Sequence, residues 1–298
     1  MKNKPYIALL ISVVSVSFAA ILITLCEADA LSKAFYRLFF TVLLILPFVI
    51  LRQKTRYELR NLKSKEFFIM AGIGVILAAH FAFWITSLDY TSISSSVILV
   101  TAHPILVGPI SHYFLKEKLS FLNTIGISLS VFGVIILVMG NKGLGLQTID
   151  TVEGNVLAIL GGIMAGLYIL GGRKLRKTVS VTSYAFVVYS VATAVLLILC
   201  SYFKTELINI SLHDFQLLLL MAIISGLLGH TLYNWSLEHI RASLASVALL
   251  GEPLGSTLLA IAIPQINQIP SQYTILGGAI ILTGVYLTAK KKTEKIIF

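Results

Sequence analysis

Charge is what this sequence has least of. Only 12% of its 298 residues are Asp, Glu, Lys or Arg, against 57% hydrophobic. A soluble domain cannot cover its core with so little polar surface, so that class is excluded. Cysteine is scarce too: two thiols, Cys26 and Cys200, make no disulfide framework. The six histidines never fall four apart, so the HxxxH and HExxH patterns that put two metal ligands on one helical face are missing. Gly143 and Gly145 read as a turn, because no strand precedes them and no phosphate-loop lysine follows. Direct ATP drive and a polytopic membrane enzyme are therefore disfavoured. A channel would show rings of pore-lining polar residues, which the hydrophobic blocks lack. No cofactor and no metal are expected.

Long hydrophobic runs are what is there. Ten blocks of about 20 residues lie at 6–25, 32–51, 67–87, 93–114, 121–139, 154–172, 181–203, 214–236, 242–263 and 271–289, each the length of a helix crossing a bilayer. The net charge of +10 fits the bias of Lys and Arg toward the cytoplasmic side better than it fits nucleic acid. With ten spans, one face holds both termini and the loops after spans 2, 4, 6 and 8. That face carries 19 of the 23 basic residues, including Lys116, Lys118, Arg173, Arg176 and Arg241. The other face holds only Lys33, Lys142 and Lys204, plus Arg37 just inside span 2, which is expected to snorkel to the interface, with substrate capture as the alternative. Both termini are thus expected in the cytoplasm of a multi-pass protein of the cell membrane. Lys2, Lys4 and the "ADA" at 28–30 resemble a cleaved signal, but the apolar run is 20 residues long and is read as a retained span.

The chain divides near residue 150 into halves of five spans, read as repeats 1–145 and 146–298. A shift of 149 aligns Ser87 with Ser236, Asp89 with Glu238 and Pro104 with Pro253; a shift of 151 aligns Gly126 and Gly133 with Gly277 and Gly284. An odd number of spans makes the second half enter from the opposite side, the inverted repeat of secondary transporters. The expected fold is an all-α integral membrane protein of ten transmembrane helices in two inverted five-helix repeats.

The stretches "LDYTSISSSVILVTAHPILVGPISHYFLKEKLS" (88–120), "YNWSLEHIRASLASVALLGEPLG" (233–255) and "ILGGAIILTGVYL" (275–287) resemble the drug/metabolite transporter superfamily, and within it the ten-helix EamA-type carriers. One departure is the turn Lys116-Glu117-Lys118, whose counterpart Pro264-Gln265-Ile266-Asn267-Gln268 has no acid. The resemblance implies export of amino acids or related amphipathic metabolites by alternating access, with proton uptake as the candidate coupling; a facilitative, channel-like carrier is the alternative.

The polar residues set deep in the spans are the candidate site. Glu252 and His103 align under the 149 shift at the centres of spans 9 and 4, where a charge costs roughly 2.5–3.5 kcal/mol and normally faces a partner or a wet pathway. Glu252 is the candidate for proton coupling, against a hydrogen-bonded structural acid. Pro104 and Pro253 are expected to kink their helices. His80 and Trp84 share a face of span 3, and His230, Tyr233 and Asn234 a face of span 8. These, with His103 and Tyr168 of span 6, are expected to line a cavity for a small organic molecule, against the alternative of interhelical hydrogen bonds. Tyr168 reads more as packing than as ligand contact. Gly162 with Gly166, and Gly251 with Gly255, are expected to allow close helix packing. Partners are a small-molecule substrate, the bilayer and protons as candidate coupling ion; the oligomeric state is open.

Overall fold

A computed structural model of the protein describes residues 3–91, 96, 99–141, 152–262 and 272–289, and its regular elements there are all helical. The first half contributes α1 (Lys4–Leu25), α2 (Ala30–Leu51), the short polar α3 (Gln53–Arg60), α4 (Ser64–Tyr90), α5 (Pro104–Phe114) and α6 (Phe121–Asn141). The second half contributes α7 (Val152–Leu175), α8 (Val181–Phe203) and α9 (Leu212–Met221). A π-helical segment (Ala222–Thr231) carries α9 into α10 (Leu232–Ser236), and α11 (Ala242–Ala248), α12 (Gly251–Ala262) and α13 (Gln272–Ala289) follow. The boundary at 145/146, Gly143, Gly145, the segment 264–268 and the lysines beyond 289 lie outside the described residues.

Among the described residues, six helices are long and apolar enough to cross a membrane: Lys4–Leu25, Ala30–Leu51, Ser64–Tyr90, Val152–Leu175, Val181–Phe203 and Leu212–Ser236. The shortfall from ten has a local cause in two cases. The run 93–114 is interrupted by a turn at Ala102–His103, directly before Pro104, and the run 242–263 by one at Leu249–Leu250. Proline cannot donate a backbone hydrogen bond, and its ring crowds the carbonyl four residues earlier, which is that of Val100 for Pro104 and of Leu249 for Pro253. The released Leu249 carbonyl is taken by the Glu252 N–H at 2.9 Å, so the second break tightens rather than leaving that acceptor bare. The remaining apolar helices, Phe121–Ile136 and Ile275–Ala289, are shorter.

The helix packing is closed under exchange of the two halves. α4 rests on α7 and α8, and its counterpart, the π segment, rests on α1 and α2; α5 meets α7 as α12 meets α1; α2 pairs with α8 and α6 with α13. The last pair shows why the glycines recur. A Cβ at Gly126 would stand 2.7 Å from the Gly284 carbonyl oxygen, and one at Gly133 2.8 Å from that of Gly277. Since Gly126 corresponds to Gly277 and Gly133 to Gly284, each contact maps onto the other, the signature of a local two-fold. Gly162 and Gly166 likewise admit the broken helix: a Cβ there would meet the Val100 carbonyl and Leu106 Cδ2 at 2.8 Å each.

Both cysteines are buried and free. Burial, the largest influence, pushes the Cys26 thiol up to about 11, which keeps it unreactive. Helix α3 is held by one side chain. Glu58 accepts from the Ser180 backbone N–H at 2.7 Å, from Ser183 Oγ at 2.6 Å and from the Ser180 hydroxyl. Burial opposes ionisation of Glu58, but these hydrogen bonds and the charge of Arg176 outweigh it and hold the carboxyl below its ordinary range. Stability from such a depressed acid is present above the titration of the unfolded carboxyl and is lost as pH falls through the folded value. Glu58→Gln is therefore expected to cost about 1 kcal/mol at neutral pH, allowing for solvent at this half-buried site. The gap to wild type should close on acidification, as read by thermal unfolding in detergent between neutral and acid pH.

Candidate functional site

Between the halves lies a cavity of about 60 Å³ whose walls come from α1, α2, α4, the break before Pro104, α7, the π segment, α10 and the start of α12. Its polar lining includes His80, Trp84 and His103, joined from the second repeat by Tyr168, His230, Tyr233 and Glu252. Seven of the expected residues are thus brought together from distant parts of the chain. Val16, Val100, Ile169 and Leu249 supply apolar wall between them. The space suits a few water molecules or a compact solute, well below the roughly 300–1,000 Å³ of a drug-sized pocket.

Each side chain is held by a specific contact. His80 Nδ1 lies 2.9 Å from the Gly161 carbonyl; a carbonyl only accepts, so Nδ1 carries the proton and Nε2 keeps its lone pair. The His80 ring stacks on Trp84 with centroids 5.9 Å apart, as their four-residue spacing on α4 allows. His103 Nδ1 pairs with Ser246 Oγ at 2.7 Å, joining the two broken helices beside their breaks. His230 sits at the end of the π segment, whose wider i→i+5 turns occur most often at functional positions. Its ring meets Phe81 edge-on at 5.4 Å and Tyr168 at 6.3 Å.

Asn234 is not among the lining residues. It lies one layer behind, its Nδ2 within hydrogen-bond reach of Tyr168 Oη at 2.5 Å, Tyr189 Oη at 3.1 Å and the His230 carbonyl at 2.8 Å, three acceptors that share its two hydrogens. Its contacts hold Tyr168 and the end of the π segment in place. Tyr168, expected mainly as packing, does both: it is held by Asn234 and it borders the cavity. Pro104 and Pro253 follow the two breaks in the chain, and Gly255 lets α12 approach Ser17 of α1.

Arg37 corrects the expectation drawn for it. It does not snorkel: it is 1% exposed and lines the cavity, its guanidinium 4.6 Å from the centre of the Phe81 ring. Position along α2 put it near a membrane face, but rotation about the helix axis turned it inward, between Phe81 of α4 and the cavity. Sequence reading had only depth to go on.

Arg173 and Arg176, counted among the basic residues that mark the cytoplasmic face, have a structural place as well: both are buried. Arg173 Nε pairs with Glu117 at 2.6 Å and its Nη1 donates to the Leu237 and Glu238 carbonyls at 2.6 and 2.9 Å. Arg176 pairs with Glu238 at 2.6 Å and donates to the Asn234 and Val179 carbonyls. Glu117 also accepts the Ala242 N–H at 2.8 Å, and Lys116 beside it takes a left-handed turn with φ 55°. One end of the bundle is therefore tied by one buried ion pair, Arg173–Glu117, and one whose acid, Glu238, is exposed. The signal in the sequence was an Arg-x-x-Arg pair at the end of α7 together with an acid in each facing turn.

The EamA-like transporter family model matches residues 3–139 and again 152–290. The chain belongs to the EamA-like transporter family. An uncharacterized transporter of Archaeoglobus fulgidus is 26% identical over 99% of this chain and 100% of its own. The uncharacterized transporter YyaM of Bacillus subtilis is 23% identical over 76% of this chain and 73% of its own. A solved crystal structure superposes with TM-score 0.78 at 17% identity, covering 97% of this chain and 98% of that one; at that identity the likeness shows the fold alone. This EamA-family protein is a membrane-spanning transporter and not an enzyme. The two matches of the family model fall on the two halves whose packing exchanges.

Proposed function

We propose that this EamA-family protein is a secondary active carrier of the cell membrane. It exports small metabolites, amino acids or related amphipathic compounds, by alternating access. Residues 1–145 and 146–298 form two inverted five-helix repeats, giving ten transmembrane helices with both termini in the cytoplasm. The substrate lies in the cavity against the His80–Trp84 stack, with His103, Tyr168, His230 and Tyr233 around it and Asn234 holding Tyr168. Glu252 carries the coupling proton, and the helices broken before Pro104 and at Leu249–Leu250 change shape as the halves rock. The observation that supports this reading is an acid set mid-way in a hydrophobic run at a helix break, on the wall of a cavity built jointly by both halves.

The test is flux in liposomes holding the purified protein, over a metabolite panel, with and without a pH gradient. A carrier saturates and shows counterflow; flux without saturation identifies a channel-like protein and defeats the proposal. Within the cavity, His80→Ala or Trp84→Ala is expected to change relative affinity across the panel by about 10-fold while expression changes little, because each removes aromatic surface worth roughly 1–2 kcal/mol. Equal affinities for mutant and wild type across the panel would refute that placement.

A further inference from the structure

The buried polar atoms around the cavity are unbalanced. Arg37 Nε and Nη1 have no hydrogen-bond partner, and neither have Trp84 Nε1 and Tyr233 Oη. Arg37 also enters none of the salt bridges found among the described residues, which join Arg173 to Glu117, Arg176 to Glu238 and His239 to Glu238. Guanidinium and indole groups donate and never accept. On the acceptor side stand the Glu252 carboxylate and the free nitrogen of His80. A buried donor left unsatisfied costs about 1–3 kcal/mol, so three or four in one place are retained against a considerable penalty. They come from three separate elements, α2, α4 and α10, so no single helix's own requirements bring them together.

Charge narrows the ligand further. Helix α8, the counterpart of α2, contains no Lys or Arg, so the internal two-fold does not duplicate the Arg37 cation. It faces one acid, Glu252, across a small space; when Glu252 holds its proton, one added negative charge balances Arg37 and a second is left uncompensated. Its planar group is set over the Phe81 ring, and a fixed planar fork of donors matches a carboxylate better than it matches a spherical anion.

We propose that the cavity binds a small singly charged organic acid, its carboxylate received by Arg37 together with the Trp84 and Tyr233 donors, and its apolar body against the stacked His80 and Trp84 rings. This rests on the carrier reading for its purpose but not for its test. Thermal stabilisation of the purified full-length protein is measured with acetate, propionate, lactate and benzoate, each paired with its own amide at equal ionic strength, and with sulfate as a divalent control. At least one acid should bind about 10-fold or more tightly than its amide. Arg37→Met should abolish that preference and Arg37→Lys retain part of it. The comparison of acid with amide on the wild-type protein needs no variant to fold. Amides that bind as well as their acids, or sulfate that binds as well as the best acid, would overturn the assignment. Counterflow of the same compounds separates the two readings. An acid that binds through Arg37 but shows no counterflow defeats the carrier and upholds the site. Counterflow of amides without their acids upholds the carrier and defeats the site.

Discussion

Replacing Glu252 with Gln is expected to reduce gradient-driven transport on the order of 100-fold while leaving the protein inserted and folded. The substitution keeps shape and hydrogen-bonding capacity but removes the charge and the exchangeable proton. Glu252 is half-buried on the cavity wall and forms no salt bridge among the described residues, so no direct ion pair is lost with it, although Arg37 across the cavity loses its facing acid. A carboxylate in the middle of a membrane costs roughly 2.5–3.5 kcal/mol relative to a neutral residue. If that free energy serves coupling, its loss corresponds to about two orders of magnitude in rate. Thermal stability should change little, since the costly charge that is removed is offset by the counter-charge that Arg37 loses. The decisive measurement compares uptake driven by a pH gradient with exchange at equal pH in liposomes. A mutant with unchanged rate and unchanged response to the gradient would make Glu252 a purely structural acid.

The second large effect is expected at the tied end of the bundle. Glu117→Gln leaves Arg173 buried with carbonyl partners but no counter-charge, and weakens the acceptor of the Ala242 N–H. Removing one member of a buried pair costs about 3–5 kcal/mol, because the other stays desolvated and unpaired. Removing both costs less, so Glu117→Gln/Arg173→Gln should recover much of the stability lost by Glu117→Gln alone. A double-mutant cycle on denaturant unfolding in mixed micelles reads the coupling directly. Additive effects would mean that the two side chains act independently of each other. The Glu117–Arg173 pair ties the first half to the second, whereas Arg176 and Glu238 both belong to the second. The other end is held differently: Asp214 accepts the Glu27 N–H at 2.9 Å, and Ser32 and Tyr36 donate to the Glu206 and Leu207 carbonyls. The two neutral bonds are worth about 1 kcal/mol each and the charge-assisted one to Asp214 about 1.5–3 kcal/mol.

The sequence by itself determined the helical membrane class, the two-part organisation and the depth of each polar side chain. Hydropathy over 20 residues, the bias of basic residues and recurring glycines are properties of the chain that need no neighbour to be read. His80, Trp84, His103, Tyr168, His230, Tyr233 and Glu252 could be singled out that way, because a polar group is conspicuous wherever the surroundings are apolar. Only the tertiary structure decided direction. Arg37 and Asn234 show it in opposite senses, one turned from an expected interface into the cavity, the other set behind the wall it was expected to form. The ion pairs of Arg173 and Arg176, with Glu117 and Glu238, became visible for the same reason. Depth in a bilayer follows from position along a helix, whereas what a side chain faces follows from rotation about the axis and from which helix lies alongside. In this protein those two depend on breaks, a π segment and glycine contacts between residues more than a hundred positions apart.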